Sequence, residues 1–320
     1  LHFHGLDLNL LVALDRLLDE CNTTRAAERM HVTQSTMSGA LNRLREYFDD
    51  DLLVQVGRRL VRTPLAESLV EPVRDIVLRV EATIHRRPDF DPATSDRRFR
   101  LLMSDYVETV LMSGLLPRLQ RAGPGIVLEL LPYNDAPWES LDRGDIDLLV
   151  IPAHYLHTAH PSEALFDDDY RCVVWSGREG AASPPTRDDY FAAGHVVARF
   201  GNQRVPTFDE SFFAGTGQRR RIELIVNDFN ALAHTIVGTT RIATMHTRLA
   251  RYYERLLPLK AHPLPVDVPS VVETAVWHRL READQGIGWL RGLMAEAMRA
   301  ELPGSADGAP PDRPTSGPSA

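Results

Sequence analysis

Within TQSTMSGALNRLREYF, the residues Ser35, Ser38, Gly39 and Asn42 fall opposite an apolar stripe of Met37, Leu41, Leu44 and Phe48, with Gln34 at the N-terminal edge. Short amides and hydroxyls at that end of a helix can read bases: Gln and Asn pair with adenine, and Ser with several bases. Such a helix is suited to enter a DNA major groove by its N-terminal turn. The elements that must hold it are legible nearby. Thr33 is a capping type for the helix, and His31-Val32 breaks the pattern before it. Asn22 and Thr23 are starting types for a preceding helix, whose Ala26, Ala27 and Met30 offer a small apolar face for close approach.

An ordinary helical hairpin in a globular core gives the same local pattern, so the flanks decide. LDLNLLVALDRLLDE places Leu10, Leu14 and Leu17 on one face of a third helix. Downstream, Leu52 to Val56 and Leu60 to Arg62 alternate like two short strands around Gly57-Arg58-Arg59. That hairpin reads as a wing whose tip offers Arg58 and Arg59 to phosphates or a minor groove. The candidate DNA contacts are Thr33, Gln34, Ser35, Thr36, Ser38, Asn42, Arg43, Arg58 and Arg59.

The formal net charge of −8 is unfavourable for binding a polyanion, so local charge matters. Between Cys21 and Ala66, Arg25, Arg29, Arg43, Arg45, Arg58, Arg59 and Arg62 outnumber the acids only modestly. Two or more copies acting together are therefore expected on double-stranded promoter DNA. Lys260 is the only lysine; arginine favours forked phosphate contacts, although genome base composition explains such usage equally simply. Thr63-Pro64 then reads as a cap followed by proline at the first helical position, opening a helix that runs to about Arg87. Its Leu69, Val73, Ile76, Val80 and Ile84 recur close to a coiled-coil seam, and the simplest partner is a second copy of the chain. A homodimer would carry two reading heads to half-sites one or more DNA turns apart.

At 320 residues and 43% hydrophobic the chain exceeds one typical domain. From Arg97 strands and helices alternate, which predicts a mostly parallel α/β sheet. No apolar run approaches a membrane span and the start lacks a secretory layout, so a soluble cytoplasmic protein with no membrane partner is expected. Cys21 and Cys172 fall in different predicted domains, which argues against a disulfide and reads as two structural thiols.

The order of helix, AA-x-x-M-x-V-TQ-S-x-MS motif, wing and long helix resembles the LysR-type transcriptional regulators. GLDLNLLVALDRLL, FDPATSDRRFRLLMSD and the segment from Ala159-His160-Pro161 are similar to the nodulation-regulator branch, which also includes regulators of aromatic and chloroaromatic catabolism. The similarity runs from about Leu6 to about residue 300. It departs at Ser35-Thr36, where many members carry Pro-Ala, and at Gly39, where a long polar or basic side chain is frequent. The resemblance implies an all-α winged helix-turn-helix domain at 1–63, a linker helix and hinge at 64–91, and a two-lobed α/β effector domain like a periplasmic binding protein at 92–302. Lobe one would take 92–166 and 270–302, and lobe two 167–269. It also implies homotetramers, with RNA polymerase as a candidate partner. The tail 303–320 is disordered by composition.

In such sheets ligands bind beyond the carboxyl ends of strands. That rule selects Ser104, Asp105, Tyr106, Asn134 and Pro152 from lobe one, and Phe200, Asn202, Phe229 and His246 from lobe two. Aromatic walls with a few polar groups suit a small, flat, partly polar aromatic effector, such as a phenolic, chlorophenolic or flavonoid-like compound. Asp228 reads equally well as a cap for the helix after it. His154, His157 and His160 lack an acidic or thiol partner at zinc spacing, and the Gly215 and Gly286 fragments lack a dinucleotide setting. No catalytic residue, metal or cofactor is assigned. The reading is a ligand-responsive transcriptional activator; its alternative is an α/β enzyme or solute-binding module with a helical appendage.

Overall fold

A computed structural model describes residues 6–84, 90–156, 160–201 and 204–300. They form two compact units: the chain up to Ile84 with Leu280–Gln285, and Phe90–Arg279 with the chain from Gly286 onward. The expected tail from 303 and the expected end of the long helix at Arg87 lie outside the described residues.

In the first unit, α1 (Leu8–Glu20), α2 (Thr23–Arg29) and α3 (Gln34–Phe48) are followed by β1 (Leu53–Val56), β2 (Arg59–Arg62) and α4 (Pro64–Ile84). Each of the first three helices starts on a side-chain cap, as the residue types require. Asp7 accepts from Leu10 N at 2.8 Å, Asn22 from Thr24 and Arg25 N at 2.9 and 3.0 Å, and Thr33 from Thr36 N at 3.2 Å. Between α2 and α3 the chain reverses through His31, at φ 54°. Leu10, Leu14 and Leu17 of α1 close over Ala26, Ala27, Met37, Leu41 and Leu44 in one buried cluster. The buried Asp19 carboxylate holds Arg29 of α2 at 2.6 Å and Arg74 of α4 at 3.2 Å, so one acid fixes three helices.

The long helix departs from the seam read in its sequence. Val73 (3% exposed) belongs to the unit's own core together with Val77, and Leu69 packs partly against it, whereas Ile76 and Ile84 are 43% and 68% exposed. The five residues therefore face different surroundings. At about 100° per residue the five fall within an arc of about 80°; spacing puts them on one face, but the first half of that face is consumed in covering α1.

The second unit holds two sheets, one of five strands and one of six. Its elements run β3 (Arg98–Leu102), α5 (Asp105–Ala122), β4 (Val127–Leu131), α6 (Pro137–Asp142), β5 (Leu148–Pro152), β6 (Ser162–Asp168), β7 (Tyr170–Trp175) and α7 (Arg187–Ala192). They continue with β8 (Gly194–Phe200), β9 (Val205–Pro206), α8 (Phe208–Gly215), β10 (Arg221–Val226), α9 (Asn230–Ile236) and β11 (Ile242–His246). The last are α10 (Thr247–Glu254), β12 (Leu259–Pro263), β13 (Val271–Val276) and α11 (Gln285–Ala300). One sheet has the order β4-β3-β5-β13-β6 and the other β10-β8-β11-β7-β12, with β9 on β8.

Only the triads β4-β3-β5 and β10-β8-β11 are parallel; β13 runs antiparallel to β5 and β6, and β7 to β11 and β12. The expected mostly parallel sheet is thus mixed. The reason is the double crossing: the chain passes from β6 to β7 through Asp169 alone and returns between β12 and β13, and strands entering from the other lobe run against their neighbours. A continuous core spans both layers, from Phe99 and Leu111 through Val173 and Val196 to Met294 of α11. Where α5 meets α11, a Cβ on Gly114 would lie 3.1 Å from the Ala297 carbonyl, so glycine sets that approach.

Candidate functional site

Two surfaces carry the chemistry, one on each unit. On α3, Gln34, Ser35, Thr36, Gly39, Asn42 and Arg43 are exposed and Ser38 is half-buried, while Met37, Leu41 and Leu44 are buried beneath them. Thr33 is occupied as the cap, and its Oγ1 lies 2.8 Å from the hydroxyls of both Ser35 and Thr36. It therefore orients those two hydroxyls at the head of the helix. The wing closes through the pair Val56↔Arg59, leaving a two-residue loop of Gly57 and Arg58. Gly57 sits at φ 63°, the first loop position where glycine avoids strain. Arg58 is in the turn, Arg59 opens β2, and both are exposed.

The arginines counted for phosphate neutralisation divide sharply. Arg29 is held by Asp19 and by Glu20 at 3.0 Å, Arg25 pairs with Glu20 at 3.0 Å, and Arg62 donates to the Leu18 carbonyl at 2.6 Å and to Glu67. Arg45 donates to the Asp51 and Leu53 carbonyls at 2.8 Å. These four brace the unit. Arg43, Arg58 and Arg59 face solvent, and only Arg43 has a loose ion pair, with Asp7 at 3.6 Å. A sequence count of charge cannot make that division.

In the second unit a cavity of about 260 Å³ opens between the two layers. Ser104, Asn134 and Pro152 line it from one lobe, and Phe200, Phe229 and His246 from the other. Asn202 lies outside the described residues. Of the polar members, Ser104 caps α5 by accepting from Val107 N at 3.3 Å. Asn134 holds Ala136 N at 2.9 Å and Ser140 Oγ at 3.1 Å, so its amide is engaged within its own loop.

Asp105 and Tyr106 are not on the cavity wall. The Asp105 carboxylate turns away, accepting from the Phe229 and Asn230 amides at 3.1 and 2.7 Å, and so fastens α5 to the start of α9. Tyr106 is wholly buried; its hydroxyl donates to Asp168 at 2.7 Å and its ring stacks on His246 at 3.8 Å. The rule of strand ends locates the crevice, but the first helical turn of α5 rotates these two side chains into the joint between lobes. Asp228 accepts from Ala231 N at 2.7 Å and acts as the cap that its position suggested.

Other lining residues were not singled out by the sequence: Tyr133, Trp138, Tyr155, Tyr170 and Glu273. Tyr133 meets Phe200 edge-on at 5.9 Å across the crevice. Gly201, at φ 68°, is packed directly against the Asp135 carboxylate, where a Cβ has no room. Glu273 sits in the middle of β13, a returning strand whose alternation gives no hint that one carboxyl faces a cavity. Burial pushes it up to about 8, with Asp168 adding in the same direction.

The two described histidines of the 154–160 segment have different neighbours. His154 packs on Phe208 at 4.3 Å, His157 is outside the described residues, and His160 bonds Asp142 at 2.7 Å with the His278 ring 4.8 Å away. Cys172 is fully buried and burial pushes its thiol up to about 12, so it offers no thiolate near neutral pH. No helix among the described residues is long and apolar enough to cross a membrane.

Comparison with known proteins adds to this geometry. The family model described as "Bacterial regulatory helix-turn-helix protein, lysR family" matches residues 8–67, and "LysR substrate binding domain" matches 93–299. The chain is 41% identical to nodulation protein D 1 of Rhizobium tropici over 95% of this chain and 99% of that one. It is 40% identical to nodulation protein D 1 of Bradyrhizobium elkanii over 98% and 99%. A crystal structure described as a probable transcriptional regulator from Pseudomonas aeruginosa superposes with a TM-score of 0.62 at 28% identity, covering 90% of this chain and 96% of that one.

Proposed function

The chain belongs to the LysR family of DNA-binding transcriptional regulators, in the branch of the nodulation proteins D, and from that premise we propose that it is an activator controlled by a small aromatic effector. The observation that carries the proposal is the crevice: Trp138 and Tyr133 of one lobe face Phe200 and Phe229 of the other around about 260 Å³. Flat aromatic walls on both sides favour a planar, phenol-like or flavonoid-like molecule over a sugar or an amino acid. A ligand that binds one spacing of the lobes better than another shifts the population toward it, and its leverage is that difference in affinity.

On the DNA side, Gln34, Ser35, Thr36, Ser38 and Asn42 meet base edges, while Arg43, Arg58 and Arg59 take phosphates and Thr33 sets the approach. Three solvent-facing guanidinium groups, one of them loosely paired with Asp7, give one head weak affinity, so paired copies act together. The outward apolar residues of α4, Leu65, Ile76 and Ile84, form the self-association surface, and dimers join as tetramers on the promoter, where RNA polymerase is the downstream partner. An anisotropy titration with the intergenic DNA upstream of its own gene, at two salt concentrations, tests the DNA half. Specific binding with a marked loss at higher salt is expected; equal affinity for random DNA at both salts would overturn it.

A further inference from the structure

Two buried polar atoms of residues on the crevice wall have no partner among the described residues. Glu273 is 2% exposed and its Oε2 makes no hydrogen bond; His246 is 4% exposed and its Nδ1 makes none. Both residues line the same cavity, one from β13 and one from the end of β11. Most buried polar atoms are satisfied and an unmatched one is destabilising, so two on residues that line one cavity point to a ligand that completes them. We propose that Glu273 and His246 form the polar subsite of the crevice and hold one uncharged oxygen of the effector, while ligands bearing a carboxylate are rejected. This rests on the aromatic-effector reading above.

The charge around the cavity argues in the same direction. Among the described lining residues there is no Lys or Arg, whereas Asp135 and Glu273 are both acids. A buried anion there would have no cation to pair with, which is costly in a dry site. Near neutral pH the subsite is itself uncharged: burial holds Glu273 up at about 8 and His246 down at about 3. The phenols facing Glu273, Tyr106, Tyr133, Tyr155 and Tyr170, are all pushed upward and stay neutral. Asp168, on the neighbouring strand, is occupied by the Tyr106 hydroxyl and the Arg248 amide. Asp209, the one charge acting on His246, raises it less than burial lowers it.

Geometry then assigns the roles. Tyr106 stacks on one face of the imidazole at 3.8 Å, and Phe229 and Tyr170 lie against it at 4.8 and 4.9 Å, so the ring is clamped with Nδ1 fixed. The neutral imidazole has two tautomers, and the one with its proton on Nε2 leaves Nδ1 to accept. The protonated Glu273 donates. A phenolic hydroxyl has the complementary pair of roles, accepting from the acid and donating to the imidazole. A carboxyl group kept neutral by its apolar surroundings so that it can donate is an established device in protein sites.

Isothermal titration calorimetry of the full chain with β-naphthol and β-naphthoate tests this, the two probes differing in charge at one ring position. At about pH 6.5 naphthol is expected to bind at least about tenfold more tightly than naphthoate. Naphthol affinity should fall severalfold by about pH 8.5 as Glu273 ionises, a decline that needs no variant to detect and that Glu273→Gln, whose amide still donates, removes. His246→Phe, which keeps the ring stack, should weaken naphthol about tenfold. Equal binding of naphthoate, or a flat pH profile in the native chain, would overturn the subsite while leaving an aromatic crevice intact. Binding of neither probe would overturn the aromatic reading and the subsite with it.

Discussion

At the scale of the residue, the structure separates groups that act from groups that hold. Gln34 and Arg58 are both exposed, but one is an amide at the head of α3 and the other a guanidinium in the wing turn. Gln34→Ala is expected to relax preference at particular base pairs by about 1–3 kcal/mol, whereas Arg58→Ala should weaken all sequences and reduce the salt slope by about one. Competition titrations against specific and random DNA separate the two, and equal losses for Gln34→Ala would remove it from base reading. Glu273 gives a second test, on stability. Its carboxyl titrates at 4.5 when free and at about 8 when buried, so the native state holds the proton over that interval and stability falls as pH rises through it. Thermal melts should show that decline in the native chain and a flatter profile in Glu273→Gln; parallel profiles would contradict it. Hydrogen-bonding residue types and turn chemistry made Gln34, Ser35 and the Thr33 cap legible in sequence. Glu273 was hidden because a strand residue's two faces look alike until its neighbours in space are known.

At the scale of the element, α3 and α4 show where one-dimensional pattern suffices. The stripe of Met37, Leu41 and Leu44 goes wholly into one core, shared with the faces of α1 and α2, and its burial follows the spacing directly. Gly39, on the opposite face, is exposed, and a Cβ there meets nothing within 4 Å. Gly39→Ala should therefore stabilise the first unit by about 0.5–1 kcal/mol through helix propensity, read as a higher melting temperature. No gain, or a loss, would contradict the open surface. In α4 the apolar residues serve two surfaces, and spacing cannot tell them apart. Ile76→Asp is expected to abolish self-association in sedimentation while leaving helical circular dichroism unchanged, because Ile76 faces outward. Val73→Asp should unfold the unit, since it places a charge in the core. The short α7 and α8 and the strands β6, β9 and β12 went unread for a related reason. Their sequences lack a clean period: SEALFDD carries three acids, and LKAHP mixes lysine with histidine and proline.

At the scale of the whole molecule, the alternation of strands and helices announced an α/β effector unit, and the resemblance supplied its two lobes. What neither pattern nor composition contained was the joint. Asp105 and Tyr106 fasten α5 to α9 and to the crossing strand β6, and Tyr106 stacks on His246 at the cavity wall. A ligand bonded to His246 is thus one ring away from the contacts that join the lobes, a short route from occupancy to lobe spacing. An aromatic molecule held in this crevice is expected to change how the protein engages its promoter. A nuclease footprint of the upstream DNA, with and without the aromatic compound that most raises the protein's melting temperature, tests it most directly. Saturating ligand is expected to change the length or spacing of the protected segments and the hypersensitive sites between them. Identical footprints with ligand bound and absent would contradict it.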